Sequence, residues 1–327
     1  MADIASLPRG AFVISLDFEL IWGTLDVRGP EGFRARCEVE RTAVVDRLLA
    51  LFVEFEIPAT WLIVGHLFLD RCYAEAGTKH PEIVRPRHAW CDGDWFAHDP
   101  DGTEVEAPVF LGRSIVEKIR RCPVPQEIGS HSFSHVIFGD PGCSAETAAS
   151  ELAASVDAAR QTGLELQSFA FPRNEVGHLA LLAAHGFTTF RGPEPRWYHD
   201  PRMPTVVSRL GHLADVLMAA EPPVVLPVAT SHGLVDVPGS MVFFPSHGFR
   251  RFIPMVLRSR RALRGLAAAV RDRRVFHLWM HPTNMADEME GMFGALRRVL
   301  EHAARLRDEG LLDTLPMSAV AATAQVR

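Results

Sequence analysis

The sequence predicts an α/β fold, a parallel sheet covered by helices, on three observations. The apolar run Ala11 to Leu16 reads as a strand buried on both faces. Val39 to Glu54 carries Val45, Leu48, Leu49 and Phe52 at helical spacing, with Arg41, Asp46 and Arg47 between them. A second apolar run, Ala59 to Val64, follows Pro58. Strand, helix, strand in that order implies a crossover and a parallel sheet.

The remaining elements continue this rhythm with two interruptions. Gly65 to Tyr73 reads as a short helix, Gly112 to Arg121 as another with a basic C-terminal end. Gln126 to Gly129 is a short strand running into Ser130-His131-Ser132-Phe133-Ser134-His135. Ser144 caps a helix reaching Gln161, and Gly163 ends it. Phe169 to Phe171 and Phe187 to Phe190 are strands, and Asn174 is expected to cap a helix over Glu175 to His185. Val275 to Met280 is a strand that delivers His281, and Gly291 to Asp308 is an amphipathic helix. The interruptions are residues 78–111, rich in proline and aromatics, and residues 192–249, where periodicity weakens. Asp92, Asp94 and His98 lie in the first of these and are not read as a metal site. Neither interruption is a linker, and no repeat divides the chain. Residues 1–327 are therefore expected to form one domain with long insertions around 78–111 and 192–249.

Composition narrows the function. A chain of 327 residues, 47% hydrophobic and 23% charged, matches a soluble enzyme. A net charge of −6 and the absence of zinc-finger spacing argue against a nucleic-acid partner. Five scattered cysteines suggest reduced thiols, and no signal pattern precedes the first strand, so a cytoplasmic location is expected. No apolar run is long enough to be a transmembrane segment. The arginine-rich stretch Pro254 to Arg274 reads first as a solvated helix face, with peripheral contact to anionic headgroups, phosphate or an anionic glycan as the sharper alternative.

The chemistry concentrates at strand ends. Asp17 and Glu19 close the first strand and point to one side. Carboxylates in such a place are paired, hydrogen-bonded or metal-bound. His131 and His135 are four apart, and on one helical turn both imidazoles would face one divalent cation. Either Asp17 or Glu19 can supply a third ligand, leaving the other as general base, and His281 is the candidate general acid. The bland alternative is a pair of histidines hydrogen-bonded to neighbouring serines.

These pieces, in this order, resemble the polysaccharide deacetylases, the carbohydrate esterase superfamily with the NodB homology domain. Ser15-Leu16-Asp17-Phe18-Glu19 resembles the first motif, His131-Ser132-Phe133-Ser134-His135 the second and Phe171-Pro172-Arg173-Asn174 the third. Arg191 through Trp197 is a loose fourth, with Asp200 or Asp215 as substitutes for its acid, and Leu278-Trp279-Met280-His281 resembles the last. The resemblance implies a distorted (β/α) barrel with fewer than eight strands. It implies a divalent metal ion, zinc or alternatively cobalt, nickel or manganese, held by His131 and His135. It makes Asp17 the general base, His281 the general acid and Arg173 the residue that braces and tunes Asp17. Leu278 would line a pocket for the acyl methyl. Trp22, Trp95, Arg191 and Trp197 are candidates for substrate contact. The common first motif has a second aspartate as metal ligand where this chain has Phe18, so Glu19 is the expected replacement.

The function so implied is metal-dependent removal of an N-acyl group from an amino sugar or sugar conjugate. Two alternatives remain open at this point: an amidase acting on a non-sugar C–N bond, and a catalytically inert glycan-binding protein of the same fold.

Overall fold

In the computed structural model, the described residues are 7–25, 30–195, 218–246 and 248–325. Ten strands form one sheet. Its core is β1 (Gly10–Phe18), flanked on one side by β11 (Val275–Met280) and on the other by β2 (Thr60–Ile63). Beyond β2 come β5 (Glu127–Ser130), β6 (Ser168–Ala170), β7 (Thr189–Arg191), β9 (Val235–Asp236) and β8 (Val228–Ala229). Beyond β11 lies β10 (Met241–Val242), and β12 (Leu312–Thr314) pairs with the start of β1. All pairings in this sheet are parallel except β8 with β9.

The sheet curls into an open, incomplete barrel. Val225, just before β8, bridges back to Val275 at the start of β11, which partly spans the gap. On the path, six strands exceed two residues (β11, β1, β2, β5, β6 and β7), which is the distorted barrel the motifs implied. A separate two-stranded sheet pairs β3 (Arg71–Cys72) with β4 (Gly102–Thr103).

Helices cover the barrel because their apolar stripes need partners. They are α1 (Arg34–Val39), α2 (Val45–Glu54), α3 (Arg113–Arg120), α4 (Ala145–Arg160), α5 (Leu179–Ala184), α6 (Met255–Asp272), α7 (Met289–Asp308) and α8 (Met317–Gln325). Phe12, Ile14, Leu16 and Phe18 of β1 enter the main core with residues of α2, α6 and α7. Ser15 and Asp17, on the alternate face of the same strand, are left for the barrel interior. The strand's period of two thus separates packing from chemistry.

Several local expectations are corrected. Gly65 to Tyr73 is a 3-10 turn, Gly65–Phe68, followed by β3, because Leu69 leaves the turn in an extended conformation. Residues 175–178 are not helical, and α5 begins only at Leu179. Asn174 caps nothing there; it has φ 56° and accepts from Arg191 Nη2 at 3.3 Å. In α6 the arginines are mostly engaged. Arg258 and Arg261 are buried, and Arg258 donates to the carbonyls of Ile253, Pro245 and Arg250. Arg264 donates to Ala219 O, and Arg271 pairs with Glu221 and Asp272. No helix among the described residues is long and apolar enough to cross a membrane.

Candidate metal centre

The C-terminal ends of the parallel strands deliver the polar groups to one place, as expected for this class of sheet. Asp17 sits at the end of β1, Glu19 just past it, His131 just past β5, Arg191 at the end of β7 and His281 just past β11. All but His281 are buried.

Glu19 is the hub. Its Oε1 lies 3.0 Å from His131 Nε2, 3.3 Å from His135 Nε2 and 3.4 Å from His281 Nε2. Burial would raise its pKa, but the imidazoles outweigh burial and hold it well below the usual carboxylate range. Gly23 makes room for this side chain, since a Cβ there would overlap Glu19 Oε2. His131 Nδ1–H donates to Ala170 O at 2.9 Å, which fixes the tautomer and turns the Nε2 lone pair toward Glu19.

Glu19, His131 and His135 thus present three donor atoms within 4.8 Å of one another. Two imidazole nitrogens and a carboxylate oxygen at these spacings match a three-ligand site with open positions. The residues fit a divalent cation, and Glu19 places a carboxylate beside the two histidines where Phe18 can offer no ligand. Phe18 itself is buried against Trp61 in the main core.

The histidine motif is not a helical turn. It is a loop in which Ser132 and His135 take positive φ, 61° and 65°. Glu151, from α4, holds it. One carboxylate oxygen accepts the N–H groups of Phe133 and Ser134, both at 2.9 Å, and the other accepts the Ser134 hydroxyl at 2.5 Å. Sequence reading missed Glu151. The available signal was a glutamate inside the buried stripe Ala148, Leu152, Ser155 of its helix. Replacing Glu151 by Ala should weaken metal affinity about tenfold or more, as removal of supporting groups around metal ligands does. Glu151→Gln, which keeps an acceptor for both N–H groups, should retain most of it. Equal affinities for both variants and the parent in a metal titration would exclude this role.

Asp17 is paired with Arg191 through two parallel hydrogen bonds, Nη1 to Oδ1 at 2.7 Å and Nη2 to Oδ2 at 2.6 Å. Burial would raise the Asp17 pKa; Arg191 and, less strongly, His131 and His281 bring it below its ordinary value. Arg191 is held in turn. It donates to Ser15 Oγ, which is 2.8 Å from His277 Nε2, and His277 Nδ1–H donates to Val237 O. Burial pushes the His277 pKa down to about 3, so this ring is neutral and its tautomer is set by Val237. Trp279 lies over the guanidinium, 4.4 Å from ring centroid to Cζ.

Five sequence-based roles are therefore corrected. The bidentate brace on Asp17 is Arg191, not Arg173. Arg191 is only 1% exposed, which rules it out as a substrate contact. Arg173, with φ 58°, instead lines the cleft beside Asn174. Leu278 packs into the main core with Ile14 and Leu16, because alternation along β11 turns Trp279 into the cleft instead. Trp22 is buried, donates to Phe110 O and packs on His66. Trp95 donates to Ser134 and backs the histidine loop. Trp197, Asp200 and Asp215 lie outside the described residues.

The cleft over these groups has a volume of about 430 Å³ and is walled by Phe33, Phe171, Val242 and Trp279. His281 stands at its floor, 3.8 Å from Asp17 Oδ2 and partly exposed. Burial would lower its pKa, but Glu19 and Asp17 together raise it above the ordinary imidazole value.

No family model matches the chain, and no curated protein sequence matches it significantly. Solved structures do. A polysaccharide deacetylase described as putative, from Mycobacterium smegmatis, superposes with a TM-score of 0.65 at 16% identity, over 100% of this chain and 95% of that one. A probable polysaccharide deacetylase from Pseudomonas aeruginosa PAO1 gives 0.57 at 12% identity, over 95% and 89%. PuuE allantoinase gives 0.56 at 12% identity, over 95% and 88%. At these identities the likeness establishes the fold, and the fold is that of the polysaccharide deacetylases.

Proposed function

We propose that the protein is a metal-dependent hydrolase that removes an N-acetyl or N-formyl group from an amino sugar or sugar conjugate in surface-polysaccharide metabolism. The observation that carries this reading is the pairing of two differently held carboxylates in one cleft. Glu19 is drawn to three imidazoles and Asp17 to a buried arginine. Environments this different suit one carboxylate to hold a cation and the other to move a proton.

A divalent cation held by Glu19, His131 and His135 would supply Lewis-acid polarisation of the acyl oxygen and a more acidic water. The chain's own groups do the rest. Asp17, kept ionised by Arg191, takes the proton of the attacking water. His281, at the cleft floor 3.8 Å from Asp17 Oδ2, gives a proton to the leaving nitrogen. Trp279 and Phe171 offer flat apolar faces for a sugar ring, and Arg173 and Arg250 add positive charge suited to a phosphate-linked sugar. The donor set around Glu19 favours an active enzyme over an inert glycan-binding protein. An amidase for a non-sugar C–N bond is the second reading, favoured by the fold shared with an allantoinase.

The test is release of acetate or formate from acylated amino sugars, free and nucleotide-linked, measured before and after chelation. Release that chelation stops and added metal restores supports the proposal. Hydrolysis of simple amides or ureides without any release from the sugars would favour the second reading instead.

A further inference from the structure

Away from this cleft, a second group of donor atoms converges where the sequence alone gave no reason to expect one. His66 comes from the turn after β2, Cys72 from β3, His80 from the following loop and Asp99 from just before β4. We propose that these four residues form a second, closed metal site, structural in role, for Zn²⁺ or an ion of similar preference.

The spacing is the first argument. His66 Nε2 is 3.1 Å from His80 Nε2 and 3.2 Å from Asp99 Oδ2. Cys72 Sγ is 3.3 Å from His80 Nε2 and 3.1 Å from Asp99 Oδ2. His80 Nε2 is 3.6 Å from Asp99 Oδ2, and all four atoms lie within 4.8 Å of one another. Tetrahedral coordination with zinc–ligand bonds of about 2.0–2.3 Å puts neighbouring donors about 3.3–3.8 Å apart. Five of the six edges, 3.1–3.6 Å, are close to those of such a tetrahedron or slightly contracted, and the sixth, from His66 Nε2 to Cys72 Sγ, is within 4.8 Å.

The second argument is the direction of the lone pairs. His66 Nδ1 faces Phe110 O at 2.9 Å, and a carbonyl only accepts, so that nitrogen carries the proton. His80 Nδ1 faces Glu82 Oε1 at 3.2 Å and donates likewise. A ring that carries its proton on Nδ1 alone turns its Nε2 lone pair inward, toward the other ring and toward Asp99. Two imidazole lone pairs and a carboxylate oxygen face to face repel one another; a cation between them removes the repulsion. Outward Nδ1–H groups held by acceptors are the usual support of metal-bound histidine. Lys79 Nζ stands at the edge, 3.6 Å from Cys72 Sγ and 3.8 Å from Asp99 Oδ2, with its shorter contacts to Pro100 O and Asp101 Oδ1.

The set of two nitrogens, one sulfur and one oxygen has no open position, and the donor atoms are mostly buried. That is the signature of a structural centre rather than a catalytic one. Its position gives it a task. It ties β3, β4 and the long loop to the barrel, in a segment with few regular elements. Phe133, in the middle of the catalytic histidine loop, touches both rings, with centroids 5.6 Å from His66 and 5.0 Å from His80. The ion would thus stiffen the wall behind His131 and His135.

The experiment loads the full chain with Co²⁺ and reads metal content and absorption together. The parent should bind two ions per chain and show a thiolate-to-cobalt charge-transfer band, since the cleft ligands include no sulfur. A His131→Ala/His135→Ala variant should keep one ion and the band. Cys72→Ser should lose the band while the cleft ion remains. A parent spectrum without any thiolate band would overturn the proposal, as would a single ion that disappears in the double histidine variant. If Cys72→Ser does not fold, the parent and the double variant still decide, because both leave the four proposed ligands intact.

Discussion

Asp17→Asn is expected to lower kcat by roughly 10²- to 10⁴-fold, the usual worth of a positioned general base, while the protein keeps its metal. The expectation follows from the separation of roles in the cleft. Glu19, not Asp17, is the carboxylate on which His131, His135 and His281 converge. Asp17 is bound on both oxygens by Arg191, so its contribution to holding a cation would be indirect. Asparagine keeps the volume and one acceptor but presents an amide N–H₂ to a guanidinium, and it cannot accept a proton from water. Paired measurements of turnover and metal content check this. Undiminished turnover, or loss of metal together with activity, would reverse the assignments of Asp17 and Glu19.

Arg191→Met should be the most damaging single change to both stability and rate. The Asp17–Arg191 pair is almost wholly buried, at 2% and 1% side-chain exposure. Removing one partner from such a pair typically costs about 3–5 kcal/mol, because the other charge is left without compensation. The pH dependence has a definite sign. In the parent the Asp17 pKa is depressed, so the stability due to the pair is present above the unfolded carboxylate value, about 4, and is lost as pH falls through the lower folded value. Without Arg191, burial becomes the dominant influence on Asp17 and raises its pKa. The acid limb of the rate profile should therefore move to higher pH. Arg191→Lys restores the charge without the two-pronged geometry, and should recover stability only in part. Chemical denaturation at several pH values, together with pH–rate profiles, tests each statement. A Met variant as stable as the parent, with its acid limb unmoved, would show that the pair does not set the state of Asp17.

The strands were legible because buried parallel strands are runs of apolar residues, and each run here ends at its polar cargo: β1 at Asp17, β5 at His131, β11 at His281. Such signals are local, and so survive in a linear reading. The exchange between Arg173 and Arg191 was not legible. Arg173 comes just after a short strand and Arg191 ends one, and the choice depends on which of them faces Asp17 across the barrel. Leu278 and Trp279 were exchanged for a related reason: the strand was found, but which of two alternating faces looks inward is fixed by its neighbours. Glu151 was hidden within a helix whose acids otherwise read as solvated. Asn174 looked like a helix cap because its sequence context is that of one, while Arg191 claims its side chain.

By itself, the sequence determined the α/β class, the order of the six longer strands along the chain and the identity of Asp17, Glu19, His131, His135 and His281 as the residues worth watching. Apolar periodicity and rare polar clusters are properties of neighbours in the chain. Only the tertiary structure decided which carboxylate meets the imidazoles, which arginine holds the other one, and that His66, Cys72, His80 and Asp99 meet at all. Those are distances between segments far apart in the chain, set by sheet register and by the packing of loops against it, and no local pattern encodes them.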